Sequence, residues 1–418
     1  MKIAVIGAGI IGVTTAYELA LEGHEVTVFE RRLAAAEESS FASAGLVTPG
    51  YHAPWVVPGM RLKIIRHFFS ANAPVRFRLP LRGSDMAWMW SCLRAANAQT
   101  YASNRLRMQR LALYSRERLN TISADAQFEF DRSNGLMVML RSVHDHTRMQ
   151  PSLQALRDAE LPFQELKPEE ARKIEPALNP DTDFHSAIHL PDDEVGNCRQ
   201  FALMLKNEAQ SLGVQFAFST TVEKLEPSTG GMALSVQGET APHRFDAAVL
   251  CAGVDSARLL RPLGLKLPLA AVHGYSVSAA IREPLNAPRS AIVDEHYKVS
   301  LSRLGNRVRV AGTAELGGKP GKIHDDALKT LYKILQDWFP GAARHSSGVQ
   351  VWKGARPMLP DGPPVLGASG IPALWLNLGH GASGWSFSCG SARAVADLIG
   401  GRDPGLDLEG LTLSRFQA

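Results

Sequence analysis

Two glycine clusters in this 418-residue chain have the type and spacing to do chemistry. Gly7, Gly9 and Gly12 form a G-x-G-x-x-G run, which follows a β-branched stretch at 2–6 and opens an alanine- and leucine-rich helical pattern reaching Gly23. Gly7 suits a tight turn, and Gly9 lets backbone approach a pyrophosphate. Gly12 lets the helix pack close on its strand, and the helix N-terminus attracts phosphate charge. A second strand at 25–29 ends on Glu30, placed for an acid that hydrogen-bonds a ribose hydroxyl. Together these parts predict a dinucleotide site. They do not separate nicotinamide from flavin, because Glu30 serves either ribose. The second cluster does. Gly379, Gly381 and Gly384, in GHGASGW, lie between a strand at 374–378 and a helix starting at Trp385. Backbone N–H groups gathered at such a helix start stabilise the charge a flavin acquires at N1 on accepting a hydride.

The elements that must position these residues follow two rhythms. A strand–helix rhythm occupies both ends and part of the middle, with strands at 2–6, 25–29, 187–190, 245–251 and 374–378. The strand at 245–251 enters Cys251-Ala252-Gly253, a second strand-to-loop turn of a parallel sheet. From Leu269 to about Ala314 the pattern becomes alternating (HGYSVSA, YKVSLSR, RVRVAGT), an antiparallel block. Two helices are expected over 85–124, with others at 148–160, 168–174, 197–212, 325–339 and 385–399. The residues 31–38 read as a charged helical connection, and 348–364 as loop-rich. Asn197 followed by Gln200 predicts a capping box. The fold class is therefore α/β. A Rossmann-like dinucleotide-binding domain (1–52, 186–265, 346–418) is interrupted by a discontinuous, mainly antiparallel α+β substrate domain (53–185, 266–345).

Composition narrows the function classes. A net charge of +4 without a basic recognition motif argues against nucleic acid. Cys92, Cys198, Cys251 and Cys389 lack CxxC spacing, which suits reduced thiols in a cytoplasmic setting. No apolar run reaches the ~18 residues of a spanning helix. Between Ser39 and Ser84 there is no acid, while Arg61, Lys63, Arg66, Arg76, Arg78 and Arg82 alternate with Trp55, Phe68, Phe69 and Phe77. Such a segment suits an anionic inner-leaflet surface, a lid attracting carboxylates, or a solvated basic face. His144, His146 and the acids 192–194 read as solvated loop, and no metal is expected.

GAGIIG, SFASAGLVTPGYHAPW, LPDDEVGNC, VDEHYKVSLSR, GARPMLPDGPPVLG and NLGHGASGWSFSCGS run through nearly the whole chain. In these motifs it resembles the FAD-dependent D-amino acid dehydrogenase (small subunit) family, within the D-amino acid oxidase and glycine oxidase superfamily. The resemblance implies non-covalent FAD on the parallel domain. Contacts would come from the first turn with Ile10 and Ile11, from Glu30 and Arg31, and from Ser39, Ser40, Ala44, Gly45 and Leu46. Val222, Cys251, Ala252 and Gly253, then Gly379, His380, Gly381, Gly384 and Trp385, would complete the site. It further implies that Arg356 holds a substrate carboxylate through its planar fork and that Tyr297 adds a hydrogen bond. Tyr51 and His52, just after the flavin-side loop, are expected to line the pocket. Ser43, Leu46 and Leu359 depart from the family's usual Asn, Gln and Thr, which bears on the substrate more than on the chemistry.

The implied reaction is hydride transfer from Cα of a D-amino acid to flavin N5, giving a 2-oxo acid and ammonia after hydrolysis. Electrons then pass to a quinone or another acceptor. The alternatives are a dehydrogenase for a cyclic imino acid such as D-proline or hydroxy-D-proline, an O₂-using amino acid oxidase, and a non-catalytic electron-relay flavoprotein. No general base is required if the amine binds neutral, because hydride transfer then depends on positioning.

Overall fold

The computed structural model describes residues 1–59, 75–319 and 321–417. Its first sheet is the one the glycine turn needs. Six strands run in the order Val365–Ala368, Leu374–Leu378, Ala247–Leu250, Lys2–Ile6, Glu25–Phe29, Gln215–Ala217. All neighbours are parallel except the antiparallel edge pair Val365–Ala368 and Leu374–Leu378. Its central strand reads IAVI and is buried on both faces, as parallel strands are.

The helix Ile10–Leu21 packs against Gly384–Ile399 and Cys198–Ser211, and it is buried on nearly every side. That burial includes Glu18. Its carboxylate accepts from Arg118 at 2.6 and 3.0 Å and from Arg393 at 2.9 Å, so it is paired rather than stranded. A three-stranded antiparallel meander, Val222–Ser228, Gly231–Val236 and His243–Phe245, lies beside this sheet.

The second sheet has ten strands. Ala270–Ala280, Arg307–Gly317 and Val299–Leu304 are its antiparallel centre, as the alternating pattern predicts. Two elements read from sequence as cofactor-side segments pair here instead. Ser186–Gly196 joins Arg132–Leu140, and Gln350–Met358 joins Ala270–Ala280 along the whole of its length. The stretch expected to be loop-rich is thus an edge strand. Its Gly and Arg residues hide the alternation that marks a strand.

Other local readings need correction. Residues 31–38 form turns rather than a helix, tied by Arg31 and Arg32 to Glu38. Asn197 caps Cys198–Ser211 by accepting from the Gln200 N–H at 3.3 Å, but the capping box does not close. The Gln200 side chain accepts instead from the Asp131 N–H at 2.9 Å.

Arg61, Lys63, Arg66, Phe68 and Phe69 lie outside the described residues. In the described part of that segment, Arg76 and Arg78 both bind Asp326, and Arg78 also reaches Glu315 at 3.2 Å. Trp55 and Phe77 pack into an apolar cluster with Trp88. These groups belong to the interior more than to a basic face. Among the described residues no helix is long and apolar enough to cross a membrane.

Candidate active site

One cavity of about 960 Å³ is lined from both sheets. At one end the glycine turn is held by contacts that only glycine permits. Gly7 has φ +103°, and a Cβ there would meet the Cys251 carbonyl oxygen at 2.7 Å. Gly9 borders the cavity with only the Ser40 hydroxyl near its missing Cβ, at 3.5 Å. Gly12 is not in the cavity wall. It stands where helix meets strand, since a Cβ there would fall 1.8 Å from the Gly7 oxygen.

Glu30 accepts from the Ala8 N–H at 2.7 Å and from the Arg32 N–H at 2.8 Å. One lone pair on each oxygen is left for a ribose. Ser40 accepts from the Ile10 N–H at 3.0 Å, Ser39 donates to the Ala355 carbonyl at 2.5 Å, and Arg31 bridges Glu38 and Asp255. Ile10, Ile11, Ala44, Gly45, Leu46, Val222, Cys251, Ala252 and Gly253 complete this wall.

The 43–48 loop is fixed by side chains that sequence reasoning did not single out. Arg309, only 9% exposed, donates to the Ser43 carbonyl at 2.9 Å. Ser302 and Ser386 donate to the Ala44 and Leu46 carbonyls at 2.8 and 3.0 Å. Nothing near these residues in the chain marks them, because their partner loop is more than 200 positions away.

The late glycine cluster lies across the cavity. Gly379 and Gly381 have φ +79° and +57°, and Gly384 begins the helix Gly384–Ile399. Leu359 occupies the space a Cβ at Gly379 would take, 2.4 Å away, which gives this departure from the family pattern a packing role. His380 is buried, its Nε2 is 3.1 Å from Ser391 Oγ, and burial pushes its pKa down to about 3. It is therefore neutral. Ser43 Oγ, Thr48 Oγ1, Asn377 Oδ1 and Trp385 Nε1 are buried without a hydrogen-bond partner, all on residues of this wall. A flat ring edged with carbonyls and N–H groups would satisfy such a set, so the site fits a flavin dinucleotide.

Arg356 lines the cavity from the edge strand Gln350–Met358. Its Nη1 donates to the Thr313 carbonyl at 2.9 Å, and no carboxylate pairs with it among the described residues. Burial pushes its pKa down to about 10, which leaves it charged at neutral pH. Room for the guanidinium comes from Gly274 on the paired strand, where a Cβ would stand 2.2 Å from Nη2. Thr313 has φ +59°, a costly conformation for a β-branched residue, and its hydroxyl is buried without a partner.

Tyr51 and His52 also line the cavity. Tyr51 donates to Glu295 at 2.8 Å. His52 Nδ1 is 3.1 Å from Ser383 Oγ, and burial lowers its pKa to about 4, so it is neutral too. Tyr297 does not line the cavity. It sits in the turn after Ala291–Asp294, with the Arg141 guanidinium 5.1 Å and the Lys333 ammonium 5.4 Å from its ring centre. The turn, not the strand, carries it, so its ring leaves the sheet face that bears Arg356.

Asp193, read from sequence as solvated, is 3% exposed within Ser186–Gly196. Its Oδ1 accepts from the Gly50 N–H at 3.0 Å and steadies the turn that presents Tyr51 and His52, while Oδ2 has no partner. Desolvation pushes this carboxyl up to about 7, opposed by the Gly50 N–H and by Arg116. An acid whose folded pKa is raised stabilises the fold fully below its unfolded pKa. That contribution is lost as pH rises towards 7, with a slope of at most about 1.4 kcal/mol per pH unit. Asp193→Asn keeps the acceptor oxygen and removes the titration. Thermal melts should show the variant gaining on wild type as pH goes from 5 to 8; parallel curves would mean Asp193 does not titrate in that window.

Comparison with known proteins agrees with this geometry. The model of the FAD dependent oxidoreductase family matches residues 2–398. A D-amino acid dehydrogenase of Bradyrhizobium diazoefficiens is 39% identical over 418 residues, covering 100% of this chain and 99% of that protein. Glycine oxidase from Geobacillus kaustophilus shares the fold with a TM-score of 0.79 at 22% identity, covering 99% of each chain. L-proline dehydrogenase from P. horikoshii does so at 0.73 and 18%, covering 100% of this chain and 97% of that one. With the glycine cradle, the polar ring wall and the family match over the same residues, the chain belongs to the FAD-dependent oxidoreductase family.

Proposed function

We propose that the protein is a D-amino acid dehydrogenase that holds FAD non-covalently and oxidises its substrate at Cα. The observation that carries this reading is Arg356, a half-buried guanidinium in the wall of the cofactor cavity with no acid of its own among the described residues. A buried cation without a counter-ion is costly, and a substrate carboxylate supplies the missing partner in bidentate form. Thr313 Oγ1, beside the carbonyl that accepts from Arg356, takes the second hydrogen bond first expected of Tyr297. The 39% identity to a D-amino acid dehydrogenase supports the stereochemistry.

Bound FAD supplies the hydride acceptor. It would rest on the Gly7–Gly12 turn and Glu30, with its ring against the 43–48 loop and the Gly379–Gly384 helix start. The chain's own residues orient the substrate rather than exchange protons with it. His52 and His380 are neutral, and neither adds charge to the cavity. Arg356 fixes the carboxylate and so limits which hydrogen on Cα faces the ring. The imino acid formed is hydrolysed by water to a 2-oxo acid and ammonia.

In this reading electrons leave to a quinone or another carrier in a cytoplasmic setting. Docking on an anionic membrane surface then rests on Arg61, Lys63 and Arg66 more than on Arg76 and Arg78, which face acids of the same chain. The test is anaerobic stopped-flow reduction of the bound flavin by a panel of D-amino acids, their L-enantiomers and D-proline. Bleaching by primary D-amino acids is expected. Bleaching by D-proline alone would point to the imino acid alternative, and none at all would leave a relay protein.

A further inference from the structure

The cavity contains a second guanidinium, this one fully buried, that the chemistry above does not use. Arg105, on the helix Ala98–Asp125, is 3% exposed and lines the same cavity as Arg356. Its Nη1 donates to Ser152 Oγ at 2.6 Å and its Nη2 to the Ser152 carbonyl at 3.2 Å, while Nε is buried with no partner. Tyr101, one turn earlier, is its other polar neighbour. Among the described residues, no acid is among its partners.

The acids that line the cavity are committed elsewhere. Glu30, Glu37, Glu38 and Asp255 belong to the dinucleotide end, and Glu295 is taken by Lys298 and the Tyr51 hydroxyl. Part of the lining is apolar, formed by Val138, Leu156, Ile188, Leu190 and Val293, which cluster with the helix that carries Ser152. Arg148, exposed on the neighbouring helix Val143–Asp158, adds positive charge to the same lining. A ligand that engages both guanidiniums therefore carries two anionic groups joined by methylenes.

We propose that Arg105, held by Ser152 and Tyr101, binds a side-chain carboxylate, so that the preferred substrates are acidic D-amino acids. This rests on the reading that Arg356 binds the α-carboxylate.

Stopped-flow flavin reduction by D-aspartate, D-glutamate and D-2-aminoadipate, each against its neutral amide or alkyl isostere, tests it. At least one acid should exceed its isostere by roughly 10-fold in kcat/KM, and the best chain length reports the spacing of the two guanidiniums. Arg105→Met should lower that acid-to-neutral ratio roughly 10-fold, to near one, and Arg105→Lys by less, at normal FAD content. A ratio unchanged in Arg105→Met, or isosteres as good as the acids in wild type, would overturn the proposal while leaving the dehydrogenase reading intact. If no D-amino acid bleaches the flavin, that reading fails first. Spectral titration of the wild-type holoenzyme needs no variant. Glutarate should bind more tightly than butyrate, and equal dissociation constants would count against Arg105.

Discussion

Replacing Arg356 by Met lowers kcat/KM for the best D-amino acid by on the order of 10²- to 10³-fold, with FAD content and melting temperature close to wild type. The size follows from what the guanidinium does. Truncating one partner of a desolvated charge pair costs about 2–5 kcal/mol, much of it from leaving the other charge unpaired. In the proposed reading the partner is the substrate's, so the loss falls on binding and transition-state stabilisation rather than on folding. The free protein even loses a liability, since among the described residues Arg356 is bonded only to the Thr313 carbonyl and burial already disfavours its charge. Gly274→Ala separates placement from charge. Its Cβ would lie 2.2 Å from Nη2, so the guanidinium keeps its charge but moves, and KM should rise more than kcat falls. Wild-type kinetics from Arg356→Met would remove the carboxylate assignment altogether.

The second large effect is structural. Gly12→Ala is expected to yield protein that is poorly folded and nearly colourless. The added methyl would sit 1.8 Å from the Gly7 carbonyl oxygen and 2.9 Å from its carbon, both backbone atoms of the turn. Neither can move by rotamer change, so the helix Ile10–Leu21 must lift off its strand. Overpacking of this kind costs about 3 kcal/mol or more. It also breaks the approach that lets the helix N-terminus face a phosphate. Gly9→Ala is the control. Its Cβ meets only Ser40 Oγ, at 3.5 Å, an ordinary contact, so the apoprotein should melt normally and lose affinity for FAD alone. Absorbance at the flavin band against that at 280 nm reads both variants. Equal flavin loading in Gly12→Ala and wild type would show that the helix accommodates the methyl.

What could be read without coordinates is what local backbone demands. The glycine turn, Glu30 and the Gly379–Gly384 helix start are short, contiguous and spaced by the geometry of strand and helix. The parallel and antiparallel halves were legible because burial on both faces and alternation leave different periodicities. Features that depend on partners far along the chain left no such mark. Gln350–Met358 has no alternating apolar face, since Gly354 and Gly274 are small so that Trp352 and Arg356 can lie along the sheet. Tyr297 sits in a motif shared with the family, but the turn that holds it takes its ring to Arg141 rather than to the cavity. Asp193 and Arg105 look like ordinary surface charges in sequence. They are buried because each lies on the packed side of its own strand or helix. Burial and the absence of an opposite charge are properties of three-dimensional neighbours. For that reason the cofactor was written in short runs of residues, while the groups that select the substrate emerged from the packing.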